Sequence, residues 1–119
     1  MLNEYNKRSL GSKYEEAAIN HLKAKGYTII NKNYRCRIGE IDVVAREDGY
    51  LVFIEVKYRS SSKSGYPHEA ISYHKMNKII NTARYYMLVN KIDYETPCRF
   101  DVVTFLGKEI QVIKNAFEL

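Results

Sequence analysis

Asp42, Glu55 and Lys57 stand in two runs that read as strands, Gly39-Glu40-Ile41-Asp42-Val43-Val44-Ala45 and Leu51-Val52-Phe53-Ile54-Glu55-Val56-Lys57-Tyr58-Arg59. Between them lies Asp48-Gly49, a dipeptide favoured in two-residue type I′ hairpin turns. With Glu47 and Tyr50 as the closing pair, the register sets Asp42 opposite Glu55, Glu40 opposite Lys57 and Val44 opposite Phe53. The other face pairs Ile41 with Val56, Val43 with Ile54 and Ala45 with Val52, so it is wholly apolar and belongs to a core. A slip of one residue would bury the charges instead, which fixes the register. Opposed carboxylates bring their Cβ atoms to roughly 4.5–5.5 Å and repel each other. Convergent oxygens at that spacing suit a hard divalent cation such as Mg²⁺, which keeps several waters. Lys57 shares the face, where an ammonium can orient a metal-bound water or neutralise charge developing on a phosphate. The alternative is a solvated face on which Lys57 pairs with Glu40 or Glu55. Against it stand Val44, Leu51 and Phe53, which make half of this face apolar and call for a cover.

Glu15 is a further acidic candidate. It precedes Ala18, Ile19 and Leu22 by helical spacings, which places it on the apolar stripe of a helix running from Ser9 or Ser12 to Lys25. A carboxylate on such a stripe is costly to bury unless paired or metal-bound. The alternative is a partly exposed Glu near the helix N-terminus, stabilised by the helix dipole.

The remaining elements position these groups. Gly26 is a natural stop for the first helix. Tyr27–Ile30 reads as a short strand entering Asn31–Arg35, followed by hairpin strands Ile38–Arg46 and Tyr50–Arg59. A second helix is expected from about Pro67, a suitable first-turn residue, to Val89, with Met76, Ile79, Ile80, Ala83 and Met87 as its stripe. Strands at Arg99–Leu106 and Glu109–Ile113 close the chain. The order α-β-β-β-α-β-β predicts an α/β (α+β) fold, a mixed β-sheet flanked by helices rather than a doubly wound nucleotide fold. With no repeat or long linker, residues 1–119 read as a single domain whose first ten or so residues are expected to be flexible. Ser60-Ser61-Ser62-Lys63-Ser64-Gly65 is a small-residue loop of the kind found beside sites.

A chain of 119 residues is about one domain's worth and can bury a core without staples. No apolar run approaches the ~20 residues of a membrane span. The N-terminal residues have no apolar signal-peptide region, so a cytoplasmic location is expected. Cys36 and Cys98 are too few for a disulfide framework or a zinc site. A net charge of +5, a pI near 9.1 and eleven Tyr suit a polyanionic partner, most commonly nucleic acid.

The two strand runs resemble the uncharacterised bacterial YraN/UPF0102 family, which is similar to Holliday junction resolvases and has the restriction-endonuclease-like fold. Further matching residues are Glu15, Ala18, Gly26-Tyr27, Asn33-Tyr34-Arg35, Lys75, Ala83, Arg99-Phe100-Asp101-Val102-Val103 and Asn115-Ala116-Phe117, so the resemblance spans roughly Leu10 to Phe117. It implies a PD-(D/E)xK nuclease site with Asp42, Glu55 and Lys57 as its catalytic residues. Ile41 stands where the motif's proline would be. The resemblance further implies that Asp42 and Glu55 bind Mg²⁺ or Mn²⁺, helped by the Val56 carbonyl and by Glu15. Glu40 would orient the site from outside or pair with Lys57.

Arg35, Arg37, Arg59, Lys63 and Lys75 flank the site in sequence and form a candidate nucleic-acid track that grips phosphates without reading bases. Each alone is also consistent with a solvated surface charge. Tyr34, Tyr58, Tyr66 and Tyr73 are candidates for stacking on unpaired bases, or for closing the rim of a core. His21, His68 and His74 lack metal-ligand spacing. The leading expectation is a Mg²⁺- or Mn²⁺-dependent endonuclease acting on DNA, branched or structured, in repair or recombination. Symmetric two-strand cutting would imply a homodimer. The alternatives are a nucleic-acid-binding protein of the same fold with little or no cleavage, and a structural or assembly protein.

Overall fold

The computed structural model describes residues 4–59 and 71–118. Its elements are α1 (Glu4–Ala24), β1 (Thr28–Arg35), β2 (Glu40–Glu47), β3 (Tyr50–Arg59), α2 (Tyr73–Val89), β4 (Cys98–Leu106) and β5 (Glu109–Phe117), in the expected order. The five strands form one sheet in sequence order, in which β3 and β4 are parallel and the other neighbours antiparallel. A parallel pair needs a long crossover, and α2 lies within it.

Both faces of the sheet are covered. Ala18, Ile19 and Leu22 of α1 pack on Val43, Ala45, Val52, Ile54, Val103 and Phe105. Ile79, Ile80, Ala83 and Tyr86 of α2 pack on Val44, Leu51, Phe53 and Phe100 from the other side. Double coverage is why β2, β3 and β4 read as nearly unbroken apolar runs.

Several boundaries differ from the sequence reading, among them β1, which continues as strand through Arg35. α1 starts at Glu4, so Ser9, Gly11 and Ser12 lie inside it. One interior glycine costs about 1 kcal/mol relative to alanine, too little to end a helix by itself. α2 starts at Tyr73, where the Ser72 hydroxyl accepts the Lys75 N–H at 3.2 Å as N-cap. Pro67 lies outside the described residues. β5 continues to Phe117, past a bulge that places Asn115 at φ 54°. Gly26 ends α1 as expected, at φ 97°.

That bulge serves a buried ionic network at the turn end of the hairpin. Asp101, with no exposed surface, accepts from Arg99 Nε at 2.9 Å and Nη2 at 2.8 Å. It also accepts the Tyr27 hydroxyl at 2.7 Å and the Asn115 backbone N–H at 2.9 Å. Arg99 Nη2 reaches Glu47 at 2.7 Å, and Lys114 closes on the same Glu47 oxygen at 3.3 Å. Burial first, then the bond to Asp101, raises the Tyr27 phenol above its ordinary pKa. Among the described residues no helix is long and apolar enough to cross a membrane.

Candidate metal and phosphate site

The hairpin turn forms as the Asp-Gly pair requires, with Asp48 at φ 53° and Gly49 at φ 82°. From Glu47–Tyr50 the ladder runs through Ala45–Val52 and Val44–Phe53 to Val43–Ile54, matching the expected register, and there it stops. The pairs expected beyond it, Asp42–Glu55, Ile41–Val56 and Glu40–Lys57, are not ladder partners. Ile41 packs with Val44 on the α2 side, whereas Val43, two residues on, packs on the α1 side. Residues two apart in a regular strand share a face, so β2 turns over at Asp42. Ile41 therefore leaves the apolar face it was assigned to.

The strands part here and a side chain takes over the bond. The Val56 N–H donates to Asp42 Oδ2 at 2.8 Å instead of to a β2 carbonyl. Glu55 is buried, and α2 reaches it: Lys75 Nζ lies 2.9 Å from Glu55 Oε1, with Lys57 Nζ at 3.7 Å from the same oxygen. Asp42 and Glu55 thus come together, Lys57 beside them, as the sequence leads one to expect. Burial first, then the negative charge of Glu55, pushes the Asp42 carboxyl up to about 7, and the charge of Glu15 adds to the shift. Burial and the neighbouring Lys75 cation hold Lys57 below the ordinary lysine range. Burial also works against the charge on Lys75, but the bond to Glu55 prevails and raises it.

Other expected members stand differently. Glu15 is half-buried on α1 and acts on Asp42 through its charge, but among the described residues no three acidic, His or Cys side chains gather closely enough to hold a metal ion. Glu40 pairs with Arg35, its partner across the β1–β2 ladder, at 3.2 Å and not with Lys57. An exposed pair of this kind contributes little to stability. The face expected to gather four acidic groups therefore gathers two. Arg37 projects over the Tyr85 ring, 6.0 Å from its centroid. Arg59 ends β3 opposite Leu106, and Lys63 lies outside the described residues.

Of the candidate stacking residues, Tyr34 packs edge-on against Tyr86, and Tyr58 lies flat on Tyr14 with centroids 4.2 Å apart. Tyr73 is largely exposed, and Tyr66 lies outside the described residues. Cys36 and Cys98 are free thiols, as expected.

Next to the carboxylates, a cleft of about 520 Å³ opens between the β1–β2 turn and α2, lined by Arg35, Glu40, His74, Lys75 and Lys78 among others. The sequence reading weighs His74 only as a metal ligand and omits Lys78; Lys78 stands four residues after His74 and three after Lys75, helical spacings that group the three on one side of α2. The turn packs on α2 at Gly39, where a Cβ would lie 2.7 Å from the buried Thr82 Oγ1. Here the glycine is needed for close approach. Gly39→Ala should destabilise the protein by about 1–3 kcal/mol, the usual cost of overpacking. Urea denaturation checks this, and a loss below about 0.5 kcal/mol would mean that the turn simply shifts away.

With this geometry in place, comparison with known sequences decides the family. The model of the uncharacterised protein family UPF0102 matches residues 14–105. The chain belongs to UPF0102. A UPF0102 protein of Lachnoclostridium phytofermentans is 57% identical over 113 residues, covering 95% of this chain and 96% of its own. UPF0102 proteins of Clostridioides difficile and Persephonella marina are 46% and 40% identical, covering 94% and 92% of this chain and 99% and 93% of theirs. The UPF0102 match takes in α1 from Tyr14, the hairpin, α2 and nearly all of β4, so every element bearing on the site lies within it.

Two carboxylates, with no third acidic side chain gathered on them among the described residues, make a sparse donor set. It fits an ion that retains several waters, as Mg²⁺ does, and it does not fit zinc. A cation bound there would offset the repulsion that raises the Asp42 carboxyl.

Proposed function

We propose that this UPF0102 chain is a metal-dependent endonuclease acting on DNA, with Asp42, Glu55 and Lys57 as its working residues. One observation carries the reading. Two carboxylates converge at the point where β2 and β3 part, with an ammonium beside them, and one is pushed up to about 7 by burial and by the other. A structure indifferent to that pair would place a neutral residue at one position, since two buried carboxylates at close range disfavour each other's ionisation.

Asp42 and Glu55 would hold the Mg²⁺ or Mn²⁺, with the Val56 carbonyl as a further oxygen. The metal supplies Lewis acidity at a phosphoryl oxygen and a more acidic water. Lys57, on the same face as Glu55, orients the attacking water and balances charge building on the phosphate. The basic residues lining the neighbouring cleft, Arg35, Lys75 and Lys78, hold the strand by its phosphates. This is the arrangement implied by the likeness to the restriction-endonuclease-like resolvases. Symmetric cutting of a branched substrate would bring two copies together.

The test is cleavage of four-way junctions, flaps, single strands and duplexes with Mg²⁺ or Mn²⁺. Asp42→Asn and Glu55→Gln should each lower the rate at least about a hundredfold, the scale of several kcal/mol of transition-state stabilisation. Mutants that cut as well as wild type would assign the activity to a contaminant. The Lys75 ammonium on Glu55 favours one second reading, a binding module of the same fold that does not cut. Binding that weakens steeply with salt, in the absence of cleavage of every substrate, would select it.

A further inference from the structure

We propose that the Lys75 ammonium occupies the metal's place on Glu55, so that the ion must displace it; this rests on the metal reading of Asp42 and Glu55. Three observations support the exchange. Lys75 Nζ sits 2.9 Å from Glu55 Oε1, a full charge-assisted hydrogen bond, whereas Lys57 stands at 3.7 Å from the same atom. Glu55 is 7% exposed overall, so a carboxylate left without a cation there is costly, and some positive group must stay on it when no metal is bound. The Lys75 main chain is pinned, its N–H held by the Ser72 hydroxyl at 3.2 Å, while its side chain is 44% exposed and lines the 520 Å³ cleft next to the site. The backbone stays and the four-carbon stem swings.

Displacement therefore delivers a cation to the cleft at the moment the metal arrives. Glu40 and Arg35 line that cleft with Lys75. The freed ammonium would then be available to a phosphate held in that cleft. One residue thus acts in turn as counter-ion to Glu55 and as a phosphate contact, and the empty site is kept from an unpaired buried charge.

Titration of the full chain with Mn²⁺ alone, followed by calorimetry, tests the exchange. Lys75→Gln and Lys75→Met remove the competitor and should tighten Mn²⁺ binding roughly tenfold, within the coupling seen between neighbouring charged groups. Lys75→Arg keeps a cation on Glu55 and should leave affinity near that of wild type. Lys57→Gln removes the same charge from slightly farther away and should change affinity less than Lys75→Gln. Unchanged or weaker Mn²⁺ binding in both Lys75→Gln and Lys75→Met overturns the exchange, as does an equal gain from Lys57→Gln, which would reduce the effect to general repulsion. Glu55→Gln separates the two levels of the argument. If it abolishes binding while the Lys75 variants do nothing, the metal site stands and the exchange falls. If Glu55→Gln binds Mn²⁺ as wild type does, the metal site itself falls.

Discussion

Asp101→Ala should lower the melting temperature by about 10–20 °C, corresponding to about 3–5 kcal/mol for a buried ion pair broken on one side. The size follows from what the carboxylate leaves behind. Arg99, itself buried, loses both bonds to Asp101 and keeps Glu47 and a longer bond to the Tyr27 hydroxyl at 3.2 Å. The Tyr27 hydroxyl loses the carboxylate oxygen at 2.7 Å, and the Asn115 N–H is stranded in a bulge shaped to reach it. Tyr27→Phe removes one neutral donor and should cost only about 1 kcal/mol. Replacing Arg99 and Asp101 together by Met and Leu should recover much of the loss, because the penalty lies in the orphaned charge. Calorimetric melting of the three variants checks this. A loss under about 1 kcal/mol for Asp101→Ala would mean that Glu47 and the Tyr27 hydroxyl satisfy Arg99 without it.

Asp42→Asn should act in the opposite direction, making the metal-free protein more stable while ending the metal binding proposed for the site. The Asp42 carboxyl is pushed up to about 7 from an ordinary 3.8, so the folded state holds this proton more tightly than the unfolded chain does. Stability from this group is then fully present below pH 3.8 and is lost as pH rises through 7. Above pH 7 the ionised side chain costs the fold about 2–4 kcal/mol, and an asparagine, always neutral and still able to accept the Val56 N–H, avoids it. Urea denaturation of both proteins at pH 8 and pH 5 gives the answer as a difference, in which titrating groups away from the site cancel. The gain should be largest at pH 8 and fall to less than half by pH 5. An equal difference at the two pH values would show that packing rather than ionisation sets it. A site destabilised by its own charge is what metal binding would relieve, so the two effects of one substitution belong together.

The sequence carried most of the architecture, because its signals are local. Alternation and an Asp-Gly turn set the hairpin register as far as Val43 and Ile54, and the apolar stripes of α1 and α2 fell where Ala18, Leu22, Ile79 and Ala83 pack. Extrapolating that register failed at Asp42, because alternation assumes a regular strand and contains no term for the point where β2 turns over. Glu40 was assigned to Lys57 by the same extrapolation, while its actual partner Arg35 belongs to the strand on its other side. Lys75 was legible as a basic residue near the site, but its contact with Glu55 depends on how a helix 20 residues distant in the chain is laid across the sheet, which hairpin arithmetic does not contain. Arg99 and Asp101 sit two apart on β4 and so share a face, a visible pattern; that Tyr27 and Asn115 meet them there is tertiary.

The bond from the Val56 amide to Asp42 has a consequence for observing the site. An N–H that would report only on β-sheet pairing is tied directly to the carboxylate whose ionisation, and whose proposed metal, would set the site's state. Its resonance in an amide NMR spectrum, and its rate of exchange with deuterium, therefore follow ionisation and metal loading with no label added. The main chain of β3 is thus a gauge of the chemistry at the place where the sheet gives up its regular pairing.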